Sequence, residues 1–402
     1  MIKIQINNPI QKKQEYLDAI LDRVAFRISA LEQSLLHLNG NKINFNLINF
    51  QSLSPITKRI IKIIGGGTKV FADANDYTTK VSNYLLNPIG LGNINIAGLI
   101  QFCQEMLANN NQILSELLVC DANDLMNLNE TTLNRYRINS EVNRNMIKQA
   151  FDYTRYNDDI GLPIRQYFRE NEFVKVCPYC NKKEALHVTN DNNEPVESNQ
   201  LDHFYDKATF PLLAYCFFNL VPSDYTCNVT NKGTTEFTEI YHLNPHEEGY
   251  EDKIKFIPIG LTPSNEVLNI EVKILVNQGT ALYEKINGNN PPNLEIFNLG
   301  NLNVFKIRSK YKNEKFKAGQ ILELVKSNDK NISHIKKYLK SLNGLNKELT
   351  YIDWYKKKIN GSYYPETFNC NSYSKFCRDI HDFYYSVNGT RLNRYITDLI
   401  NQ

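Results

Sequence analysis

No stretch of this 402-residue chain approaches eighteen uninterrupted apolar residues, which excludes a membrane-spanning helix. The opening, MIKIQINNPIQKKQEYLDAI, lacks the charged, then apolar, then small-residue layout of a secretion signal, so a cytoplasmic protein is expected. Charge of either sign is not in excess: 46 Lys and Arg against 43 Asp and Glu leave +3, a balance that points to no class of partner. Internal repeats and long low-complexity tracts are missing as well. Gly65-Gly66-Gly67 lacks the Gly-Lys-Ser/Thr ending of a phosphate loop and follows a helical pattern, so it reads as a connector.

What is present is ordinary in bulk and uneven in detail. An apolar fraction of 42% with 22% charged residues suits a soluble globular chain long enough for two or three domains. A short strand is expected over 2–6. Helical spacing then runs over 11–38, where Leu17, Ile20, Leu21, Val24, Ala25, Ile28, Leu31 and Leu35 share a face, and stops at Asn39-Gly40. Further helices are expected over 55–64, 96–119, 131–156 and 162–172. From 174 to about 277 the pattern shortens. Segments 185–189 and 199–204 flank the polar turn Asn190-Asp191-Asn192-Asn193 like a hairpin, and 253–259 and 268–276 alternate around a Gly260–Asn265 turn. Helical patterns return over 304–327, 332–342, 346–359 and 373–400.

Eight cysteines (103, 120, 177, 180, 216, 227, 370, 377) in a cytoplasmic chain make a close pair metal-binding or redox-active before they make a disulfide. Cys103, Cys120 and Cys216 lie among apolar neighbours and read as inert core. The pair Cys177-Pro-Tyr-Cys180 stands shortly before the densest cluster of chemistry in the chain, DHFYDKATFPLLAYCFFNLVPSDYTCNVTNKG at 202–233. That segment holds what one metal ion needs to hydrolyse a phosphodiester. Asp202 and the amide oxygen of Asn228 are hard oxygen ligands suited to Mg²⁺ or Mn²⁺, and His203 is an imidazole able to take a proton from water near pH 7. Asn219, sixteen residues after His203, is expected to pin the intervening loop and to orient the imidazole through a hydrogen bond. Lys207 and Lys232 are candidates to neutralise phosphates. Asp206, three residues from His203, reads as solvated.

The run Leu201-Asp202-His203-Phe204, Phe210-Pro211-Leu212-Leu213-Ala214, Asn219-Leu220-Val221-Pro222, Cys227-Asn228 and Lys232-Gly233 resembles the HNH endonuclease family. It is most similar to HNH nucleases of bacterial anti-phage systems, such as the nuclease component of Septu. The resemblance spans about 174–256, roughly a fifth of the chain. It implies an α+β fold: a ββα-metal core with a Cys-x-x-Cys zinc-ribbon-like element, flanked by mostly α-helical regions. It also implies Asp202 and Asn228 as ligands of a catalytic Mg²⁺ or Mn²⁺, His203 as general base, and Asn219 as the structural middle residue. Many relatives pair the first Cys-x-x-Cys with a second to hold zinc. Here the second reads Asp224-Tyr225-Thr226-Cys227, so the implied zinc ligands are Cys177, Cys180, Asp224 and Cys227, with His187 as a substitute.

The expected organisation is a helical domain at 1–172 for partner binding or assembly, the nuclease at 173–260, a strand-containing extension at 261–302 and a basic helical region at 303–402. Between 304 and 344 there are eleven Lys or Arg against three Asp or Glu, interleaved with Tyr311, Phe316 and Tyr338, a composition that suits nucleic-acid backbones or a solvated helix face. No helix-turn-helix or finger array is there to read bases. The function implied is hydrolysis of DNA or RNA in anti-phage defence, restrained by a partner such as an ATPase or by self-assembly. The alternative is a catalytically silent nucleic-acid-binding module stapled by zinc.

Overall fold

The computed structural model describes residues 1–39, 94–153, 160–171, 174–185, 188–189, 195–197, 200–261, 266–288, 300–330, 359, 368 and 370–388. The helix expected over 55–64, the glycine connector, His187, the 332–342 helix and nearly all of the 346–359 helix lie outside these residues. The fold is α+β: helices with small antiparallel sheets. It divides into two compact units, each built from separated stretches of chain. One comprises Ile6–Asn171 and His203–Leu220, the other Met1–Gln5, Glu172–Asp202 and Val221–Gln402. This differs from the linear four-part reading. The expected nuclease, extension and basic tail share one unit, and the loop at 203–220 belongs with the helices.

The helical unit contains α1 (Pro9–Leu38), α2 (Ile96–Leu118), α3 (Leu125–Arg135), α4 (Glu141–Ala150) and α5 (Gly161–Asn171). Helix α1 buries Tyr16, Leu17, Ile20, Val24, Ile28, Leu31 and Leu35, the stripe that a 3.6-residue period places on one face, and packs chiefly on α2. Two expected helices are interrupted. In α2, Asn109, Asn110 and Asn111 all take left-handed φ, which asparagine tolerates better than most residues. The helix expected over 131–156 is two, because Arg137 (φ 55°) closes α3: Ile138 N–H bonds back to the Leu133 carbonyl, and Ser140 then caps α4 through the Asn143 N–H. The loop at 203–220 lodges here. Phe217 packs tilted against Tyr16 (5.1 Å between ring centres) and Phe168 (5.5 Å), and the Tyr16 hydroxyl donates to the Tyr215 carbonyl.

The second unit holds β1 (Val188–Thr189), β2 (Pro195–Glu197), β3 (Gln200–His203) as far as Asp202, β4 (Leu220–Ser223) from Val221 on, a π-helical turn at Thr226–Lys232, β5 (Ile254–Leu261) and β6 (Val267–Ile274). Helices α6 (Ala281–Asn287), α7 (Gly300–Val304), α8 (Ile307–Lys312), α9 (Lys315–Lys330) and α10 (Ser374–Asn388) complete it. The strands pair as β1-β2, β3-β4 and β5-β6. So the partner of the 188–189 strand is Pro195–Glu197 rather than the Asp202 strand, which instead pairs with β4. The strand expected over 2–6 joins no ladder, because its alternate amides go to different segments: Ile2 N–H to the Pro178 carbonyl and Ile4 N–H to that of Pro245, both 2.7 Å.

The expected β5-β6 hairpin sets Phe256 opposite Val272 and Pro258 opposite Ile270, with the buried members on one face. Side chains of α10 complete the outer edge of β5. Lys375 Nζ donates to the Ile254 carbonyl (2.9 Å) and to Asp379 (2.8 Å), and Asp379 accepts the Phe256 N–H (3.0 Å). Both side chains are 1% exposed, and an edge strand left with bare amides invites foreign pairing. Asp379→Ala strands a buried ammonium and should cost about 3–5 kcal/mol in urea unfolding. A loss below about 1 kcal/mol would show the pair to be dispensable.

Candidate metal centre and strand–helix site

The turn at Cys177-Pro178-Tyr179-Cys180, called the knuckle together with the side chains of Asp224 and Cys227 that gather against it, is shaped by its backbone. Cys177 N–H bonds the Lys183 carbonyl (2.9 Å), Asn181 N–H bonds that of Cys177 (2.8 Å), and Asn181 takes φ 50°, a left-handed value asparagine adopts at modest cost. Cys227 comes from the π-helical turn. Asp224 stands just before it and caps it, Oδ1 accepting the Thr226 N–H at 2.9 Å. The ligand atoms of Cys177, Cys180, Asp224 and Cys227 lie within 4.8 Å of one another, with the cysteines buried and Asp224 half-buried. These are the four residues expected to share a metal, and they are placed to hold one. Among the described residues no other group of three or more His, Cys, Asp or Glu side chains converges in this way.

Charge has already been arranged around this cluster. Hydrogen bonds from Cys177 and Cys227, then the charge of Lys310, hold the Cys180 thiol well below the ordinary range, while burial pushes Cys177 up. Lys310 Nζ lies 3.0 Å from Cys227 Sγ. Burial would lower the Lys310 pKa, but the nearby Cys227 and Cys180 outweigh it and raise it. The Tyr311 hydroxyl donates to the Cys180 carbonyl (2.8 Å), so α8 supports the cluster at two points, Cys180 and Cys227.

Next to this cluster the π-helical turn lies along β3. Asn228 Nδ2 donates to Gln200 Oε1 (3.3 Å), and Lys232 Nζ donates to Asp202 Oδ1 (2.9 Å) and Oδ2 (2.8 Å). Residues four apart on the helix thus meet residues two apart on the strand. Gln200 and Asp202 share a strand face. The Tyr179 hydroxyl also donates to Asp202 Oδ2; burial, then the charge of Asp202, pushes that phenol well up and keeps its proton. Lys232, expected at a phosphate, is instead 4% exposed and spent on Asp202, because an ammonium buried this deeply needs a counter-charge. The bond from Asn228 Nδ2 turns the amide oxygen away from Gln200.

In the helical unit, His203 follows Asp202 in the chain. Its Nε2 lies 3.0 Å from the Ala214 carbonyl, which can only accept; the proton therefore sits on Nε2, and Nδ1 is the basic nitrogen of the neutral ring. Tyr153 meets the imidazole edge-on at 4.8 Å, and Lys207 Nζ lies 5.0 Å over the same tyrosine ring. Asn219, fully buried, pins the loop as expected. Its Oδ1 accepts the Tyr205 N–H (2.7 Å), and its Nδ2 donates to the carbonyls of Tyr205 (3.1 Å) and Leu213 (2.8 Å). It does not orient the imidazole by a direct bond; it fixes Leu213, and the neighbouring Ala214 carbonyl does so. Asp206 is half-buried and caps its own turn, accepting from the Ala208 and Thr209 N–H groups and the Thr209 hydroxyl.

Four participants escaped sequence reasoning: Tyr179, Gln200, Lys310 and the Ala214 carbonyl. Tyr179 lies inside the Cys-x-x-Cys and Gln200 two residues before Asp202, so position alone marked those two; nothing local marked Lys310, and a main-chain carbonyl has no residue signature. Comparison with family models, with curated proteins and with solved structures finds no match to the chain.

His242 packs beside this site, stacked at 3.9 Å on Phe237, whose ring also carries Lys232 Nζ at 4.9 Å. Burial, then the charge of Lys232 with Lys285 adding to it, lowers the His242 pKa from 6.5 to about 4. A depressed histidine pKa means the unfolded chain binds the proton first, so stability drains away as pH falls from about 6.5 towards 4. His242→Phe keeps a stacked ring and removes the titration. Between pH 7 and pH 5 it should lose about 2 kcal/mol less stability than the parent. Equal losses in urea midpoints would show that His242 does not titrate this way.

Proposed function

We propose that the chain is a metal-dependent endonuclease of the HNH type that hydrolyses phosphodiester bonds of DNA or RNA, acting as an effector of anti-phage defence. The observation that carries this reading is the strand–helix register. A strand ending in Asp202-His203, paired antiparallel with β4, is met on the Asp202 face by a helical turn carrying Asn228 and Lys232. Asp202 and Asn228 would hold a hard divalent cation, Mg²⁺ or Mn²⁺, and their donor atoms fit it. The carboxylate already attracts the charge of Lys232, and the bond to Gln200 leaves the Asn228 amide oxygen to act as ligand. Bound there, such an ion supplies positive charge against the charge building on the phosphate and the leaving oxygen. His203 takes the proton of the attacking water at Nδ1, with Nε2–H held by Ala214. Tyr179 keeps the Asp202 carboxylate in place, and Asn219 keeps the loop that bears Ala214.

The test is cleavage of supercoiled plasmid, single-stranded DNA and tRNA by the purified chain with Mg²⁺, Mn²⁺ or EDTA. His203→Ala should lower the rate about 10²- to 10⁴-fold at unchanged fold. The buried Lys232–Asp202 pair favours a second reading, a nucleic-acid-binding module in which Lys232 replaces the catalytic ion for good. Oligonucleotide binding without metal-dependent cutting of any substrate would establish that reading instead.

We propose zinc for the cysteine cluster. Ligand atoms about 2.3 Å from a tetrahedral centre stand about 3.8 Å apart, and Cys180 Sγ is 3.8 Å from Asp224 Oδ2. The purified chain should carry about one zinc, as expected of a closed four-ligand site. Cys227→Ser should lose it and melt at a lower temperature. Unchanged zinc content in that variant, by plasma mass spectrometry, would remove the assignment.

A further inference from the structure

A cleft of about 660 Å³ opens beside the knuckle, lined by Lys175, Lys182, Lys183 and Lys317 against a single glutamate, Glu184. Its remaining polar wall is Asn371, Ser372 and Tyr373, which lead into the N-terminus of the fifteen-residue helix α10. Four ammonium groups around one hollow repel one another, and Glu314, from outside the lining, pairs with Lys182. A helix N-terminus adds positive potential on the same side. The wall mixes amine, hydroxyl and amide groups with apolar surface such as Val176, and its excess of positive charge suits a polyanion.

The aromatic element of the cleft is held at a cost. Tyr373 has φ 62°, a left-handed conformation unfavourable for a bulky side chain, kept by its N–H bond to the Asn181 carbonyl (2.6 Å) and by the Cys377 N–H on its own carbonyl (2.8 Å). In that posture its ring carries Lys317 Nζ at 4.5 Å and Lys182 Nζ at 5.8 Å from the centroid. Lysines gathered on a tyrosine beside a cleft form the pairing of backbone charge and stacking surface that nucleic-acid grooves use. The cleft is also joined to the knuckle: Lys182 Nζ donates to the Lys310 carbonyl (2.9 Å), and Lys310 Nζ reaches Cys227.

We infer that this cleft docks the phosphodiester backbone of the nucleic acid, an inference that rests on the nuclease reading and supplies its substrate-binding subsite. Binding of fluorescent DNA and RNA oligonucleotides is measured by anisotropy in a His203→Ala background, across a salt series. Lys183→Glu/Lys317→Glu should weaken binding at least tenfold and flatten the slope of log K against log salt by about 1.4 to 1.8, the loss of two phosphate contacts. Lys255→Glu/Lys273→Glu makes the same charge change on the exposed face of the β5-β6 hairpin and should shift affinity less than threefold. The milder Lys317→Gln should fall between parent and double variant, and zinc content and circular dichroism report whether each variant is folded. Parent-like binding by the cleft variant, or equal weakening by both double variants, overturns the inference. Metal-dependent cutting by the native chain alongside that result would leave the nuclease reading standing. Selective loss of binding in the cleft variant, with no cutting under any condition, would retain the docking site and remove the nuclease.

Discussion

The carboxylate of Asp202 is the point on which the second unit is organised. It is 5% exposed, and a charge taken that far from water must be compensated on the spot. The compensation comes from both sides in sequence: Tyr179 from the knuckle turn and Lys232 from the end of the π-helical turn. The requirement to neutralise one oxygen pair therefore fastens three pieces of local structure together, namely the turn between Cys177 and Cys180, a strand and a helical turn. Tyr179 is further stacked at 4.2 Å on Phe305, which carries the restraint to the junction between α7 and α8.

The knuckle poses the same electrostatic problem more acutely. The three thiols and the carboxylate lie within 4.8 Å of one another, where burial opposes charge on Cys177 while its thiol neighbours and Lys310 favour it on Cys180. Lys310 stands against Cys227 from a region that sequence composition marks merely as basic. One lysine of that run thus acts inward on the cluster while Lys317 faces the cleft, so a charge count along the chain cannot say which lysines are solvated and which are structural. The two surfaces are separated by a few residues of α8 and α9.

Legibility in the sequence followed how local the cause was. The stripe of α1 and the β5-β6 hairpin were readable because periodicity and short spacing determine them within a few residues of themselves, whereas the four cysteine-cluster residues, 44 positions apart at Cys180 and Asp224, were implied by the family resemblance. The break between α3 and α4 was not: Arg137 takes the left-handed closing position that glycine would have announced. Strand partners were misjudged because two short segments compete for the place beside 185–189, and pairing is decided by what else each can bury. At the candidate site the residue types were legible and their partners were not. Lys232 meets Asp202 across thirty positions, and Asn219 acts on His203 through the backbone of a loop rather than by its own amide.

That last arrangement has a bearing on how the chain can vary. The acceptor that places the proton on His203 is the carbonyl of Ala214, an atom every amino acid possesses. No exchange of side chain at position 214 deletes it; only a shift of the loop can. The protonation pattern of the imidazole is therefore insulated from most mutational drift at its contact point, and its vulnerability is displaced onto Asn219, where a fully buried amide with three backbone partners leaves almost no acceptable replacement.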